Sequence, residues 1–197
     1  MAVAWSPDGC RVASAGSGDV VLWDPLTGRE SLRITRRLLT RRFDLAFSPD
    51  GSCLFTTGGA TGIDVWDLAT GKSTRTLCGE RPPLVVGPKA PIGLGYRAEV
   101  FAVAPDGSWV AGAVHKDPLQ IIDTGSGHLI RRLTGLTQPA TYVTATSDGR
   151  LLAISEGTLH VWDTSTWRRV ASIKGPSGRV ATAGGASVIC TMPEAST

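Results

Sequence analysis

Residues 47–67 read Phe47-Ser48-Pro49-Asp50-Gly51-Ser52-Cys53-Leu54-Phe55-Thr56-Thr57-Gly58-Gly59-Ala60-Thr61-Gly62-Ile63-Asp64-Val65-Trp66-Asp67. Proline presets φ in the Ser-Pro-Asp-Gly turn and glycine supplies a left-handed residue, so the chain reverses in minimal length. The apolar run after it is strand-length and ends at glycines. Ile63-Asp64-Val65-Trp66-Asp67 is a further strand. The stretch therefore reads as two strands joined by a tight turn, then a third.

The same pattern returns along the chain. The turn recurs as Ser6-Pro7-Asp8-Gly9, Ala104-Pro105-Asp106-Gly107 and Ser147-Asp148-Gly149, with its glycines at 9, 51, 107 and 149, intervals of 42, 56 and 42. The strand-ending pair recurs as Trp23-Asp24, Ile122-Asp123 and Trp162-Asp163, in the same phase. A third marker follows each pair: Leu26-Thr27-Gly28, Ala69-Thr70-Gly71, Thr124-Gly125 and the altered Ser165-Thr166-Trp167. Glycine there is expected to take a positive φ in a tight strand connection. Self-similarity at about 40–45 residues ending in Trp-Asp is the signature of a propeller blade.

On these residues the chain resembles the WD40-repeat family, over about residues 2–173. The resemblance implies an all-β, WD40-like β-propeller, partial or an incomplete ring, of four-stranded antiparallel blades. A four-stranded unit cannot bury both faces alone and must stack on neighbours. The expected organisation is one propeller domain over 1–197. Its blades span about 2–34, 43–77, 98–133 and 140–173, with a partial fifth at 178–190. An insertion loop at 79–97, rich in proline and glycine, accounts for the long third interval.

Seven blades at this period need roughly 290–300 residues, against the 197 present. The chain is therefore expected to be incomplete as a ring. It is a piece of a longer protein, an arc that self-associates to complete a ring, or a small irregular ring. WD40 blades often hold a buried His, Ser/Thr, Trp and Asp tetrad. Here every blade lacks a Gly-His dipeptide at the position that supplies the His, and the Asp position six residues before Trp is Ser17, Ala60 or Glu156. Apolar packing is expected to hold the blades instead, with Trp23, Trp66 and Trp162 as wedges between them.

The resemblance implies a non-catalytic protein–protein interaction scaffold that binds protein partners through one rim. Two candidate segments fall on the rim that links each outermost strand to the next innermost one. The first is the basic run around Arg33, Arg36, Arg37, Arg41 and Arg42, since arginine grips carboxylates or phosphates bidentately. The second is the 79–97 loop, with Arg81, Lys89, Tyr96 and Arg97. Long loops in compact domains are usually functional or disordered, and Tyr and Arg are enriched in binding hot spots.

Twenty basic against 17 acidic residues, a net +3, is too small an excess to point to nucleic acid, and no aromatics interleave with the arginines for base stacking. No apolar stretch is long enough for a membrane helix, and the N-terminus does not read as a signal peptide. Cys10, Cys53, Cys78 and Cys190 have no Cys-x-x-Cys spacing and are read as buried, reduced thiols of a cytoplasmic protein.

No cofactor is expected. His115, His128 and His160 lie in three separate strand contexts, and no phosphate loop or nucleophile elbow occurs. Two alternatives to the scaffold remain. One is a regulatory or sensory module cut from a longer multidomain protein carrying a kinase or NTPase domain; the other is a propeller enzyme.

Overall fold

The structure is a computed structural model and describes residues 2–16, 19–35, 44–57, 62–77, 98–114 and 118–175. Every element in it is a strand. The first sheet holds β1 (Ala2–Trp5), β2 (Val12–Ala15), β3 (Asp19–Trp23) and β4 (Glu30–Thr35). The second holds β5 (Leu45–Phe47), β6 (Cys53–Thr56), β7 (Ile63–Asp67) and β8 (Lys72–Leu77). The third holds β9 (Ala98–Val103), β10 (Trp109–Val114), β11 (Leu119–Asp123) and β12 (Leu129–Leu133), and the fourth β13 (Tyr142–Thr146), β14 (Arg150–Ser155), β15 (Thr158–Asp163) and β16 (Arg168–Lys174). Each sheet is an antiparallel meander in sequence order, the architecture that the repeat implies. The four sheets, blades one to four below, do not close into a ring among the described residues.

The hairpin turns are held by their own aspartates. In Ser6-Pro7-Asp8-Gly9 the Ser6 hydroxyl donates to Asp8 Oδ1 at 2.5 Å, and the Cys10 amide donates to the same oxygen at 2.9 Å. Ser48, Asp50 and Ser52 repeat this arrangement. Gly107 takes φ +76°, and a Cβ there would also stand 3.3 Å from Pro49 of the preceding blade, so both backbone and space require glycine.

The Trp-Asp aspartates organise the next turn. Asp24 Oδ1 accepts the Leu26 and Thr27 amides, and Asp67, Asp123 and Asp163 likewise accept the amide three residues on. Four residues after each aspartate the backbone is left-handed, at Gly28, Gly71, Gly127 and Trp167. In blade three that residue is Gly127, at φ +73°, and not the expected Gly125. In blade four Trp167 holds the position at φ +55°, and its ring meets Trp109 of blade three edge-to-face at 5.2 Å. An aromatic contact thus offsets a conformation that L-residues disfavour.

The core lies between blades. Blades one and two share Ala13, Val20, Leu22, Leu45 and Leu54, with Trp66 packed against them. Blades two and three share Phe55, Ile63, Phe101, Val110 and Ile122. Blades three and four share Ala111, Ile121, Leu133, Leu151 and Trp162. Trp66 and Trp162 each face the preceding blade and act as the expected wedges, and Ile122 takes the same place in blade three. Trp23, at the same position in blade one, belongs to none of these clusters, since its face points away from blade two.

Two smaller expectations change. Cys10 is exposed in the turn ahead of β2, and Cys53 is only half-buried; both are free thiols. Pairing of the second strand with the first begins at Val12, two residues beyond Cys10. Cys78 and Cys190 lie outside the described residues.

Candidate functional site

The residues proposed from sequence as the partner-binding surface, Arg36, Arg37, Arg41, Arg42, Arg81, Lys89, Tyr96 and Arg97, all lie outside the described residues, as do the 79–97 loop and the partial fifth unit. The first arginine of the basic run is described. Arg33, on β4, donates to Asp19 Oδ2 at 2.7 Å and to Glu30 Oε2 at 2.5 Å. Glu30 first and Asp19 second raise its pKa. It is therefore engaged within its own blade and is not free to grip a partner's carboxylate.

The rim itself is visible at the third link, from β12 to β13. This segment is bolted down at several points. Thr137 Oγ1 donates to Glu156 Oε2 at 2.8 Å, Ser155 Oγ to the Gln138 carbonyl at 2.8 Å, and Arg169 Nη1 to the Gly135 carbonyl at 3.0 Å. Gly135 sits at φ +90°, where a Cβ would press on the Arg169 guanidinium at 3.3 Å. Around the link lies a hollow of about 410 Å³, lined by Pro118, Leu133 and residues 134–139. Its lining is mixed: two prolines, two leucines, two threonines, a glycine and a glutamine.

A second hollow, of about 370 Å³, lies where β5, β9 and β13 run side by side, and is lined by Phe47, Pro49, Phe101, Pro105 and Val143 among others. None of the described residues lining it is ionisable. His160 pairs with Ser172 at 3.1 Å and lies 5.8 Å from the Trp162 ring. Burial, and secondarily Arg169, lower its pKa. Among the described residues no group of three or more His, Cys, Asp or Glu could hold a metal ion, and no helix is long and apolar enough to cross a membrane.

Seven turn aspartates, at 8, 24, 50, 67, 106, 123 and 163, have lowered pKa values. Hydrogen bonds favour the charged form in each. The Ser48 hydroxyl, then the Ser52 amide, bring Asp50 to about 2. The Ser165 hydroxyl, then the Thr166 amide, do the same for Asp163. These carboxylates are saturated by their own turns and serve the fold.

The sequence reading missed one polar feature. Trp23 Nε1 donates to Ser14 Oγ at 2.9 Å, and Trp66 Nε1 to Thr56 Oγ1 at 3.0 Å. Each hydroxyl stands two residues beyond the strand partner of its tryptophan, Val12 or Leu54. The indole–hydroxyl half of the tetrad thus persists in blades one and two. Gly112 and Ala153 occupy the corresponding places in blades three and four, where no hydroxyl is available.

Comparison with known proteins gives the same architecture. A family model described as "WD domain, G-beta repeat" matches residues 1–24. The WD repeat-containing protein WDS homolog of Arabidopsis thaliana is 26% identical over 182 residues, which cover 88% of this chain and 31% of that protein. A solved structure of U3-55K superposes with a TM-score of 0.71 at 16% identity, covering 91% of this chain and 53% of that one. A chain of Kuenenia stuttgartiensis hydrazine synthase gives a TM-score of 0.69 at 18% identity, covering 87% and 47%. The likeness to these solved chains is one of fold. The chain spans about a third of the length of the curated relative and about half that of the two solved chains.

Proposed function

We propose, from the premise that this chain belongs to the WD40-repeat family, that it is a non-catalytic, cytoplasmic scaffold that binds protein partners through one rim of a single propeller domain. The family is generally one of interaction modules. The observation that carries the reading is the contrast between the aspartates and the rim. The turn aspartates are each engaged by their own turn, whereas the described blade-to-blade link is a rigid ledge beside a hollow. A rigid ledge presents hydrogen-bonding groups to a partner without ordering cost. Arg36, Arg37, Arg41, Arg42, Arg81, Lys89, Tyr96 and Arg97 are proposed to extend that surface along the equivalent links, where a concentration of arginine favours an acidic protein segment.

The test is reversal of Arg36, Arg37, Arg41 and Arg42 to glutamate, with capture of acidic peptide arrays read beside a thermal melt. Weakened capture with an unchanged melt is expected; unchanged capture by the folded variant removes that surface. A second reading rests on the share of its relatives that the chain spans: the arc is one module of a longer multidomain protein. An in-frame continuation with further repeats in the genomic sequence supports it, and a stop codon immediately upstream opposes it.

A further inference from the structure

Blade four sets a titratable side chain against the link from β12 to β13. Two residues before the Trp-Asp or Ile-Asp pair stand Val21, Asp64 and Gln120 in blades one to three, and His160 in blade four. Blade four alone therefore has an imidazole at this place. Strand register puts His160 beside Ser172 of β16. Its Nδ1 lies 3.1 Å from the Ser172 hydroxyl and 3.5 Å from Arg169 Nη1. The same Nη1 donates to the Gly135 carbonyl at 3.0 Å. One guanidinium nitrogen is thus shared between an imidazole of blade four and a backbone carbonyl of the link. The link has no charged residue of its own to hold it there, since 134–139 read Thr-Gly-Leu-Thr-Gln-Pro.

We propose that His160 and Arg169 form a pH-sensitive latch on this link: neutral His160 holds Arg169 on the Gly135 carbonyl, and protonated His160 drives it off. With Nδ1 unprotonated, the imidazole accepts from Ser172 and from Arg169. A proton on Nδ1 fills that lone pair, removes both bonds and sets two cations side by side. Arg169 is exposed and can turn to solvent. The other charged groups do not offset this. Arg131 of β12, beside Ile121 on the facing side of blade three, is a further cation, as is Lys174, opposite Thr158. Glu156 accepts from Thr137, and Asp163 pairs with Arg150 beyond Trp162. Ala153 faces His160 from β14. Burial first and Arg169 second lower the His160 pKa, so the latch is made above the ordinary value of 6.5 and released as pH falls through the lowered one. Release loosens the β12 end of the link, where Pro118 and Leu133 line the hollow. The Thr137–Glu156 and Ser155–Gln138 bonds keep the other end, so the whole-chain melt is not expected to register the change. The latch regulates binding only if the rim is the binding surface, a reading on which that consequence rests.

Nuclear magnetic resonance of the full chain, titrated from about pH 8 to about pH 5 across the histidine range, tests it. Two signals are followed: the His160 ring, and the Leu136 amide, whose peptide bond carries the Gly135 carbonyl. In the unmodified chain the Leu136 amide should shift with the same midpoint as the His160 ring, and that midpoint should lie below 6.5. Arg169→Gln, which removes the guanidinium charge, should move the His160 midpoint upward. His160→Gln should leave the Leu136 amide flat over the whole range. A Leu136 amide that does not follow the His160 ring in the unmodified chain overturns the proposal, and this outcome needs no variant to fold. So does a Leu136 shift that persists in folded His160→Gln, or a His160 midpoint unmoved in folded Arg169→Gln. The titration uses no partner, so failed capture of acidic peptides leaves the latch standing, and a failed latch leaves the capture test as it was.

Discussion

Blades one and two are built from nearly the same residues in the same places and meet different surroundings. Leu45 and Val3 hold one repeat position, as do Phe47 and Trp5, and as do Trp66 and Trp23. In blade two all three lie against blade one's Ala13, Val20 and Leu22. In blade one Val3 and Trp5 are more than half exposed, and Trp23, partly buried, turns its indole N–H to Ser14. A repeat specifies what a strand offers to a neighbour. Whether the offer becomes stabilisation depends on the neighbour being there.

The sharpest way to break this comparison is to truncate the paired positions. Leu45→Ala should cost about 2–5 kcal/mol, the usual range for a buried leucine with its cavity term. Val3→Ala, in protein dilute enough to be monomeric, should stay within about 0.5 kcal/mol. Urea unfolding of both variants checks it, and equal losses would mean that blade one's far face is as buried as blade two's.

A smaller difference is expected at the indole bonds. Thr56→Val keeps shape but leaves the Trp66 N–H without its acceptor inside the blade one–two core, for a loss of about 1–3 kcal/mol. Ser14→Ala should lose less, because Trp23 is only partly buried and water replaces the hydroxyl. A Ser14→Ala loss as large as that of Thr56→Val would show that the Trp23 face is covered.

The smallest effect is expected from pH, and it should not distinguish the blades, since every one carries the aspartate turns. A carboxyl whose folded pKa is depressed contributes stability that is present above its unfolded value and lost as pH falls through the folded one. For Asp50 and Asp163 the window runs from the ordinary value of 3.8 down to about 2. Thermal melts should hold steady above pH 4 and decline below it, and Asp50→Asn should flatten part of that decline. A melt that first weakens between pH 5 and 7 would point to a group outside these turns.

Much of the fold was legible because its signals are local. A Ser-Pro-Asp-Gly turn is written in four consecutive residues, and its aspartate accepts bonds from residues two positions away. The left-handed residue of the second turn was legible as a glycine in blades one and two, whereas Trp167 holds it in blade four. It was misplaced in the third, where Gly125 and Gly127 both stand near the mark and only the count of four from Asp123 separates them. The indole partners were not legible, because Ser14 and Thr56 are selected by strand register, nine and ten residues before their tryptophans. Nor was the engagement of Arg33: its charge is visible in the run, but its pairing with Asp19 depends on β3 and β4 lying side by side.

The sequence by itself determined the period, the turns, the all-β class and the phase at which each strand turns an apolar residue toward a neighbour. All of these follow from chemistry within a few residues of each other. Only the tertiary structure decided which copy of a repeated position is core and which is surface. Leu45 and Val3 have the same local pattern around them, and no local rule separates them. What separates them is blade one standing against Leu45, because burial belongs to the pair of faces that meet.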